Sequence, residues 1–414
     1  MGIQAIILYA SLFITLFFEV FLLITYLEVK EELGFEKNHV GKNITHFPSV
    51  TIIVPCFNEE KTLTETVKSL LNLDYPKDKL SLVLVDDGST DGTQLIFKKF
   101  ASHPQVRTLT KENGGKHTAL NFALESISTD LVGCLDADSF VDKDALKKIV
   151  PYFQDEKIMA VTPSIKVHNP KSFLQHIQKV EYSWGIFLRR MLSSLEALYV
   201  TPGPFSIFRL RVFKDLGGYN MGHQTEDLEM ALRMQKNRYK IVNSSYAHVY
   251  TVTPEKFYGL YKQRVRWTYG FLNNSLDYRE MFFNKKYGHI GLFVLPIGII
   301  SIFTSLYIVA NLLLSFTSKV LNSFAKFRAV GFGSSFELPS FDWYFINTGT
   351  LPIITITAIG FSITILVLAL RLSEGKAKFS KGVLYYLSLY GFIVPFWLVR
   401  ALFDTLFRKQ ISWR

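Results

Sequence analysis

Cysteine is scarce in this sequence. Its 414 residues include 2 cysteines, Cys56 and Cys134, and both fall in apolar segments that resemble strands. This scarcity excludes a disulfide framework and a cysteine-based metal site, so we expect two buried, reduced thiols.

A cleavable signal sequence is also lacking. The first apolar run, residues 3–26, has no basic residue before it and no small-residue cleavage site after it. Since the run is about as long as a membrane-spanning helix, we interpret it as a permanent span.

Three more apolar runs follow, at about residues 290–316, 348–370 and 383–403. Each is long enough to cross a bilayer. We therefore predict three parts: an N-terminal transmembrane helix in 1–28, a cytoplasmic domain in 29–285 and a C-terminal transmembrane region in 286–414. Pro395 interrupts the last run, which predicts a broken, re-entrant or interfacial segment there and leaves the number of spans open.

The net charge of +11 is typical of proteins that bind nucleic acid or anionic lipid. Here the basic residues cluster beside the apolar runs, as in the RLSEGKAKFSK segment at 371–381. No Lys or Arg precedes the first run, whereas Lys30 and Lys37 follow it. The positive-inside rule then places the soluble domain in the cytoplasm, with the lipid bilayer as a partner and no nucleic acid.

Between the apolar runs, predicted strands alternate with helices. The strands are expected at 49–58, 80–87, 106–110, 131–138 and 158–167. This alternation predicts an α/β, Rossmann-like fold with a mostly parallel sheet, in which ligands bind beyond the carboxyl ends of the strands.

Aspartates stand at the ends of two of these strands. In CLDADSF, Asp136 and Asp138 would share one face of a strand, which suits a divalent cation such as Mg²⁺ or Mn²⁺. In VDDGSTDG, Asp86 and Asp87 could accept hydrogen bonds from a nucleobase or ribose, or could belong to a helix cap.

Two later motifs contain further candidate site residues. ENGGKHTALN places two glycines and Lys116 before a helix, a plausible phosphate cradle. In TEDLEMALRMQ, Asp227 could act as a general base, although Thr225 and the acidic first turn also fit an ordinary capped helix.

QRVRW at 263–267 lies on a helical pattern. Gln263, Arg266 and Trp267 stand at i, i+3 and i+4, so they share one face. Arginine binds phosphate in a bidentate manner, and tryptophan offers a flat apolar ring to a sugar. A basic and aromatic belt at a membrane interface is the alternative, and it would explain Arg264.

Taken in order, VDDGSTDG, DAD, TED and QRVRW resemble the D, D, D, Q-x-x-R-W signature of processive family 2 glycosyltransferases. PCFNEE at 55–60 and GGKHTALN match further segments of that family, and the resemblance covers about residues 45–285. It implies a GT-A-like domain and interfacial helices at about 173–195 and 255–280. The number and placing of the apolar runs is most similar to bacterial poly-β-1,6-N-acetylglucosamine synthases and to chitin or hyaluronan synthases.

The resemblance also implies a role for each motif residue. Glu59, Asp86 and Asp87 would hold the uridine, Lys116 the nucleotide, and Asp136 the nucleotide-sugar. Asp138 would bind the Mg²⁺ or Mn²⁺, and Asp227 would be the base of an inverting transfer. Gln263, Arg266 and Trp267 would grip the diphosphate and the acceptor sugar.

The expected partners are a UDP-sugar donor, a growing polysaccharide and, as in some relatives, a small membrane subunit. Two alternatives stay open. A single-transfer enzyme acting on a lipid carrier would share the aspartate motifs but would not need QRVRW. A catalytically inactive membrane scaffold would need none of these side chains.

Overall fold

One sheet of eight strands organises the central part of the chain. The computed structural model of the protein describes residues 3–39, 44, 46–330 and 349–408. The strands are β1 Val50–Cys56, β2 Leu80–Asp86, β3 Val106–Thr110, β4 Leu131–Cys134, β5 Ser139–Val141, β6 Ile158–Val167, β7 Ser206–Arg209 and β8 Lys240–Thr251.

Across the sheet the order is β3-β2-β1-β4-β7-β6-β8-β5. The first four strands are parallel, as are β6 and β8, whereas β7 runs antiparallel to both of its neighbours and β5 to β8. The predicted mostly parallel sheet is therefore confirmed, and its predicted strands are all present. The sequence patterns missed β5, β7 and β8.

Both faces of the sheet are covered. Along β1, Ile52 and Val54 face a core that includes Leu63 and Leu70, whereas Ile53 faces a second core with Leu120. Since β1 buries apolar side chains on both of its faces, Ile52, Ile53 and Val54 form a continuous apolar run, which is typical of a central parallel strand.

Nine α-helices accompany the sheet among the described residues between 3 and 277. They are α1 Ile3–His39, α2 Leu63–Leu71, α3 Thr93–Phe100, α4 Lys116–Leu124, α5 Ala145–Ile149, α6 Phe173–Ser194, α7 Leu210–Leu216, α8 Glu226–Lys236 and α9 Phe257–Asp277. The later helices are α10 Leu295–Val330, α11 Thr350–Glu374, α12 Lys381–Tyr385 and α13 Gly391–Leu406.

Four helical runs in the described residues are long and apolar enough to cross a membrane: Ala5–Gly34, Ile290–Ala329, Thr350–Glu374 and Lys381–Leu406. The break predicted at Pro395 is wrong, because the helix continues through it. A π-helical turn at Tyr386–Tyr390 precedes the proline and is the one irregular part of that run. The start of the third predicted run and the end of the basic C-terminal tail lie outside the described residues.

Two elements join the sheet to these long helices. α1 extends past the apolar run, and its Glu36 carboxylate accepts hydrogen bonds from the Ser245 amide at 2.9 Å and from Tyr152. α6 contacts β6 and β8 as well as α1, α11 and α12. The sheet is therefore held directly against the long apolar helices, and a cavity opens between them.

Candidate active site

A cavity of about 670 Å³ lies at the carboxyl ends of β1, β2 and β4 and extends to α10 and α13. Its walls include nearly every candidate residue that the motifs singled out: Glu59, Asp87, Lys116, Asp136, Asp138, Asp227, Gln263, Arg266 and Trp267. Residues separated by about 200 positions in sequence are thus brought to one site, at the sheet edge where parallel-sheet proteins bind ligands.

Asp86 is the exception. Its side chain is buried, and its two carboxylate oxygens accept hydrogen bonds from the Ser89 amide at 2.9 Å and the Gln94 side chain at 3.2 Å. Asp86 therefore stabilises the turn after β2 through these two hydrogen bonds. The structure does not bring this residue to the cavity, so its expected contact with uridine is not supported.

Asp87 does reach the cavity and is tightly held. Its carboxylate accepts hydrogen bonds from Lys111 Nζ at 2.7 Å and from the amides of Gly114 and Gly115 at 3.1 and 2.8 Å. The expectation that these glycine amides cradle a phosphate is wrong, because a carboxylate of the protein already occupies them. Their effect is to fix Asp87 in place.

The two aspartates of the DAD motif lie beyond the strand and not within it. β4 ends at Cys134, and Asp138 stands in the turn closed by the Ser139 amide and the Asp136 carbonyl. The predicted extension of the strand to Asp138 is wrong, yet the turn still directs both carboxylates into the cavity. Burial, followed by the charges of Asp136 and Glu59, raises the pKa of Asp138 to about 7.

Lys116 ties three elements together at this point. Its Nζ lies 2.7 Å from Asp136 Oδ1 and 2.8 Å from Glu226 Oε1, which links the start of α4 to the end of β4 and the start of α8. Burial acts to lower the pKa of Lys116, but the two carboxylates outweigh it and hold the pKa well above its usual range. Glu226, which the motifs did not single out, is therefore part of the site.

Asp227 follows at the start of α8. Burial, and then the neighbouring charge of Glu226, raise its pKa to about 6, while Lys116 and Arg266 act in the opposite direction. Such a carboxylate is a better proton acceptor than an ordinary aspartate and is still mostly ionised at neutral pH. The side chain of Thr225 does not cap α8 as the sequence suggested, because its hydroxyl donates to the Gly222 carbonyl at 2.8 Å.

The QRVRW segment lies on α9 and faces the same cavity. Arg266 donates a hydrogen bond to the Gln224 carbonyl at 2.9 Å, which fixes the loop that leads into Asp227. The Trp267 ring is 37% exposed and lies on the cavity wall. The shared face predicted for Gln263, Arg266 and Trp267 thus opens onto the candidate site.

Arg264 is different from the interfacial residue that the sequence suggested. It is buried, and it forms a two-point ion pair with the Glu181 carboxylate of α6 at 3.0 and 2.7 Å. Its guanidinium also lies over the Trp267 ring, 4.2 Å from the ring centroid. Arg264 therefore supports the tryptophan from behind and joins α9 to α6.

A loop rich in proline and glycine completes the wall. Gly203 packs so closely that a Cβ atom there would lie 2.5 Å from Lys116 Nζ and 2.7 Å from Asp136 Oδ1. Phe205, in the same TPGPF segment, has a left-handed φ of 65° and is fully buried. The spacing of prolines and glycine shows that a turn occurs here, but only the tertiary structure shows that it contacts the lysine.

A metal ion has a suitable place among these residues. The carboxylates of Asp136, Asp138 and Glu59 line one cavity, and their mutual repulsion is what a cation would relieve. Within the described ranges no group of three or more His, Cys, Asp or Glu side chains is arranged to hold a metal ion by itself. That arrangement suits a cation that keeps water and takes phosphate oxygens from its substrate, as Mg²⁺ does.

Comparison with known proteins agrees with this geometry. The family model described as "Glycosyltransferase like family 2" matches residues 48–270, more than half of the chain. The chain belongs to this family. The match begins just before β1 and ends within α9, so it takes in every candidate site residue.

Two curated members of the family are similar in sequence. A poly-beta-1,6-N-acetyl-D-glucosamine synthase of Staphylococcus aureus is 32% identical over 256 residues, which is 61% of this chain and 61% of that protein. The protein of the same name from Staphylococcus epidermidis is 31% identical over 304 residues, 72% of each chain. The chain thus matches under two thirds of the length of the S. aureus relative.

One solved structure shares the architecture along nearly the whole chain. The mannosyltransferase PcManGT from Pyrobaculum calidifontis, in complex with GDP-Man and Mn²⁺, superposes with a TM-score of 0.62. The alignment covers 98% of this chain and 99% of that one at 22% identity. At this identity the likeness shows the fold alone, and it confirms the predicted GT-A-like domain combined with long apolar helices.

Proposed function

We propose that the protein is a membrane-embedded, processive, inverting glycosyltransferase that polymerises a sugar from a UDP-sugar donor. One observation carries the proposal: the aspartates, Asp227 and the QRVRW face all line one cavity, and that cavity continues to two helices long enough to cross a membrane. A polymerase needs its donor site and its acceptor site in that relation. UDP-N-acetylglucosamine is the proposed donor, because the relatives named above are synthases of poly-N-acetylglucosamine.

The roles follow from position and charge. Asp227, with its raised pKa, takes the proton of the acceptor hydroxyl. Gln263 and Arg266 face the diphosphate of the donor, where the guanidinium offsets charge that develops on the leaving group. Trp267 stacks on the acceptor sugar, with Arg264 fixed behind it. Direct attack of the activated hydroxyl inverts the anomeric carbon, so no covalent intermediate with the protein is needed.

The donor would bind at the strand end of the cavity, which is the part lined by residues that follow β1, β2 and β4. Glu59 and Asp87 would contact the uridine and Asp136 the nucleotide-sugar, and all three side chains line this part of the cavity. Lys116 contributes indirectly, since its ammonium is already shared by two carboxylates. Asp138 would hold Mg²⁺ or Mn²⁺, which when bound neutralises charge on the diphosphate.

The membrane arrangement is part of the proposal. The soluble domain would lie in the cytoplasm, where UDP-sugars are made, and the long apolar helices would cross the plasma or inner membrane. Synthesis would then be coupled to export of the polymer. A small membrane subunit is the remaining proposed partner.

The test is turnover by the purified full-length chain in detergent or nanodiscs, with Mg²⁺ or Mn²⁺. Release of UDP would be followed over a panel of UDP-sugars, and the product sized by gel electrophoresis and mass spectrometry. Sustained release with UDP-N-acetylglucosamine and a long, enzyme-digestible product is expected. Release with another donor would retain the mechanism and change the sugar. A product of one sugar on a lipid would contradict processivity.

A further inference from the structure

Two adjacent arginines of α6 have opposite surroundings. Arg190 pairs with carboxylates of α1, at 3.3 Å from Glu32 and 3.7 Å from Glu36. Arg189 lines the cavity, and its Nε and Nη2 atoms are buried without a hydrogen-bond partner. In the described part of the chain no Asp or Glu lies within ion-pair distance of Arg189. One helix therefore carries a guanidinium that is paired with carboxylates and, next to it, one that faces the cavity without a carboxylate partner among the described residues.

An unsatisfied guanidinium in such a place is unfavourable for the empty protein. Burying a charge without a partner is strongly destabilising, and buried polar groups are normally hydrogen-bonded. Burial lowers the pKa of Arg189, although Tyr182 and Tyr199 act in the opposite direction. Arginine nevertheless stays protonated in proteins, so the positive charge remains. A ligand that supplies both oxygen acceptors and a negative charge would offset both deficits.

The position of Arg189 limits where this ligand comes from. The guanidinium lies beside Tyr199, whose ring contacts Phe271 with the centroids 5.8 Å apart. Phe271 packs against Gly298 of α10, where a Cβ atom would be 2.6 Å from the ring. Ser301 and Leu398, from α10 and α13, line the same cavity. Because α10 and α13 belong to runs long enough to cross a membrane, this end of the cavity lies against the helices that would contact the bilayer.

A phosphate group matches these requirements better than a neutral sugar. Sugar hydroxyls would satisfy the N–H donors but would leave the charge uncompensated, whereas a phosphate accepts two parallel hydrogen bonds from a guanidinium and balances it. Gly185 and Tyr182 stand one and two turns before Arg189 on the same side of α6. A Cβ atom at Gly185 would lie 3.4 Å from Arg189 Nη1, so the glycine leaves room beside the guanidinium.

We propose that Arg189 and Tyr199 form a binding site for the phosphate group of a membrane lipid at the membrane end of the cavity. The proposal rests on the proposed function in one respect, because only that function makes the lipid the acceptor on which a chain is started. Binding itself can be measured without turnover.

The test uses the full-length chain in phosphatidylcholine nanodiscs and a fluorescent polyprenyl monophosphate as the probe, with the matching polyprenol as its neutral counterpart. We expect the parent protein to bind the phosphate at least tenfold more tightly than the alcohol. Arg189→Gln should remove that preference, and Arg189→Lys should retain part of it. Lys179→Gln is the control, because Lys179 lies on the same helix, is partly exposed, is not part of the cavity wall and pairs with Glu374. Thermal unfolding of each variant checks that it is folded.

Four outcomes would overturn the proposal. Arg189→Gln could bind the lipid phosphate as tightly as the parent, or Lys179→Gln could weaken binding equally, which would indicate bulk electrostatic attraction. Inorganic phosphate could displace the lipid at equal concentration, which would indicate a soluble anion. Arg189→Gln could weaken a neutral oligosaccharide acceptor and leave the lipid unaffected, which would indicate a sugar contact.

A separate readout distinguishes this inference from the proposed function. Slow hydrolysis of the UDP-sugar in the absence of acceptor reports on the strand end of the cavity. If the parent binds the lipid phosphate but hydrolyses no UDP-sugar, the proposed function fails and the inference stands. If hydrolysis in Arg189→Gln is normal and its lipid binding is also unchanged, the inference fails alone.

Discussion

The two ends of the cavity handle charge differently. At the strand end, carboxylates and lysines neutralise one another over short distances, as in the contacts of Lys116 with Asp136 and Glu226. At the membrane end, aromatic rings and small residues dominate, and Arg189 has no carboxylate partner among the described residues. The strand end is thus organised before any substrate arrives, whereas the membrane end depends on its ligand. The effects of substitutions on activity, binding and stability should therefore differ between the two ends.

The largest effect is expected at Asp227. Asparagine has a similar shape but cannot accept a proton, so Asp227→Asn should lower kcat by a factor of about 10² to 10⁴. The KM for the donor should change little, because this side chain acts on the acceptor. UDP release with a saturating acceptor is the measurement.

The matched control for that substitution is Asp215→Asn. Asp215 pairs with Arg211 on the far side of α7 and lies outside the cavity, so its loss should leave the rate unchanged. A rate for Asp227→Asn within threefold of the parent would show that another group is the base.

The second prediction concerns the ion pair that joins the two ends. Arg264→Met leaves Glu181 without its partner and removes the support behind Trp267. Breaking a buried pair costs about 3–5 kcal/mol, so the Tm should fall by about 10 °C. Thermal unfolding in detergent measures this directly.

Two variants sharpen that result. The exposed Lys179–Glu374 pair should contribute under about 1 kcal/mol, so Lys179→Met should barely move the Tm. Arg264→Met combined with Glu181→Leu should recover part of the loss, because no charge is then left unpaired. An equal fall in Tm for Arg264→Met and Lys179→Met would mean that the buried pair contributes no more stability than the exposed pair.

Much of the strand end could be predicted from the sequence. Strands β1, β2 and β4 are apolar and lead into the acidic motifs, so local pattern alone places Glu59, Asp87, Asp136 and Asp138 at one end of the sheet. The partners that fix these side chains were not predictable, because they come from distant parts of the chain. Glu181 and Arg264 are 83 positions apart, and nothing local marks them as a pair. Side-chain direction at Asp86 likewise depends on Gln94 in the following helix.

The third prediction is the pH dependence at the strand end. The base acts in its ionised form, and the pKa of Asp227 is raised to about 6. Activity should therefore be nearly full at pH 7 and fall by about tenfold for each pH unit below 6. Rates of the parent with saturating Mn²⁺ should be compared with the residual rates of Asp227→Asn, which should lack this transition. The same transition in both proteins would assign it to another group.

The smallest effect is expected at Asp86, and it separates the two adjacent aspartates of one motif. Asp86→Asn keeps an oxygen for the Ser89 amide and changes nothing in the cavity, so the KM for the donor should stay within about twofold. Asp87→Asn should raise that KM by tenfold or more, because it removes a charge from the cavity wall and weakens the contact with Lys111. Steady-state rates at varied donor concentration measure both KM values, and isothermal titration with UDP measures the affinity for the nucleotide. An equal loss of affinity in the two variants would mean that the turn after β2 rearranges when the nucleotide binds and brings Asp86 to the uridine. The strand end would then be completed by its ligand, as the membrane end is, and the division between the two ends would disappear.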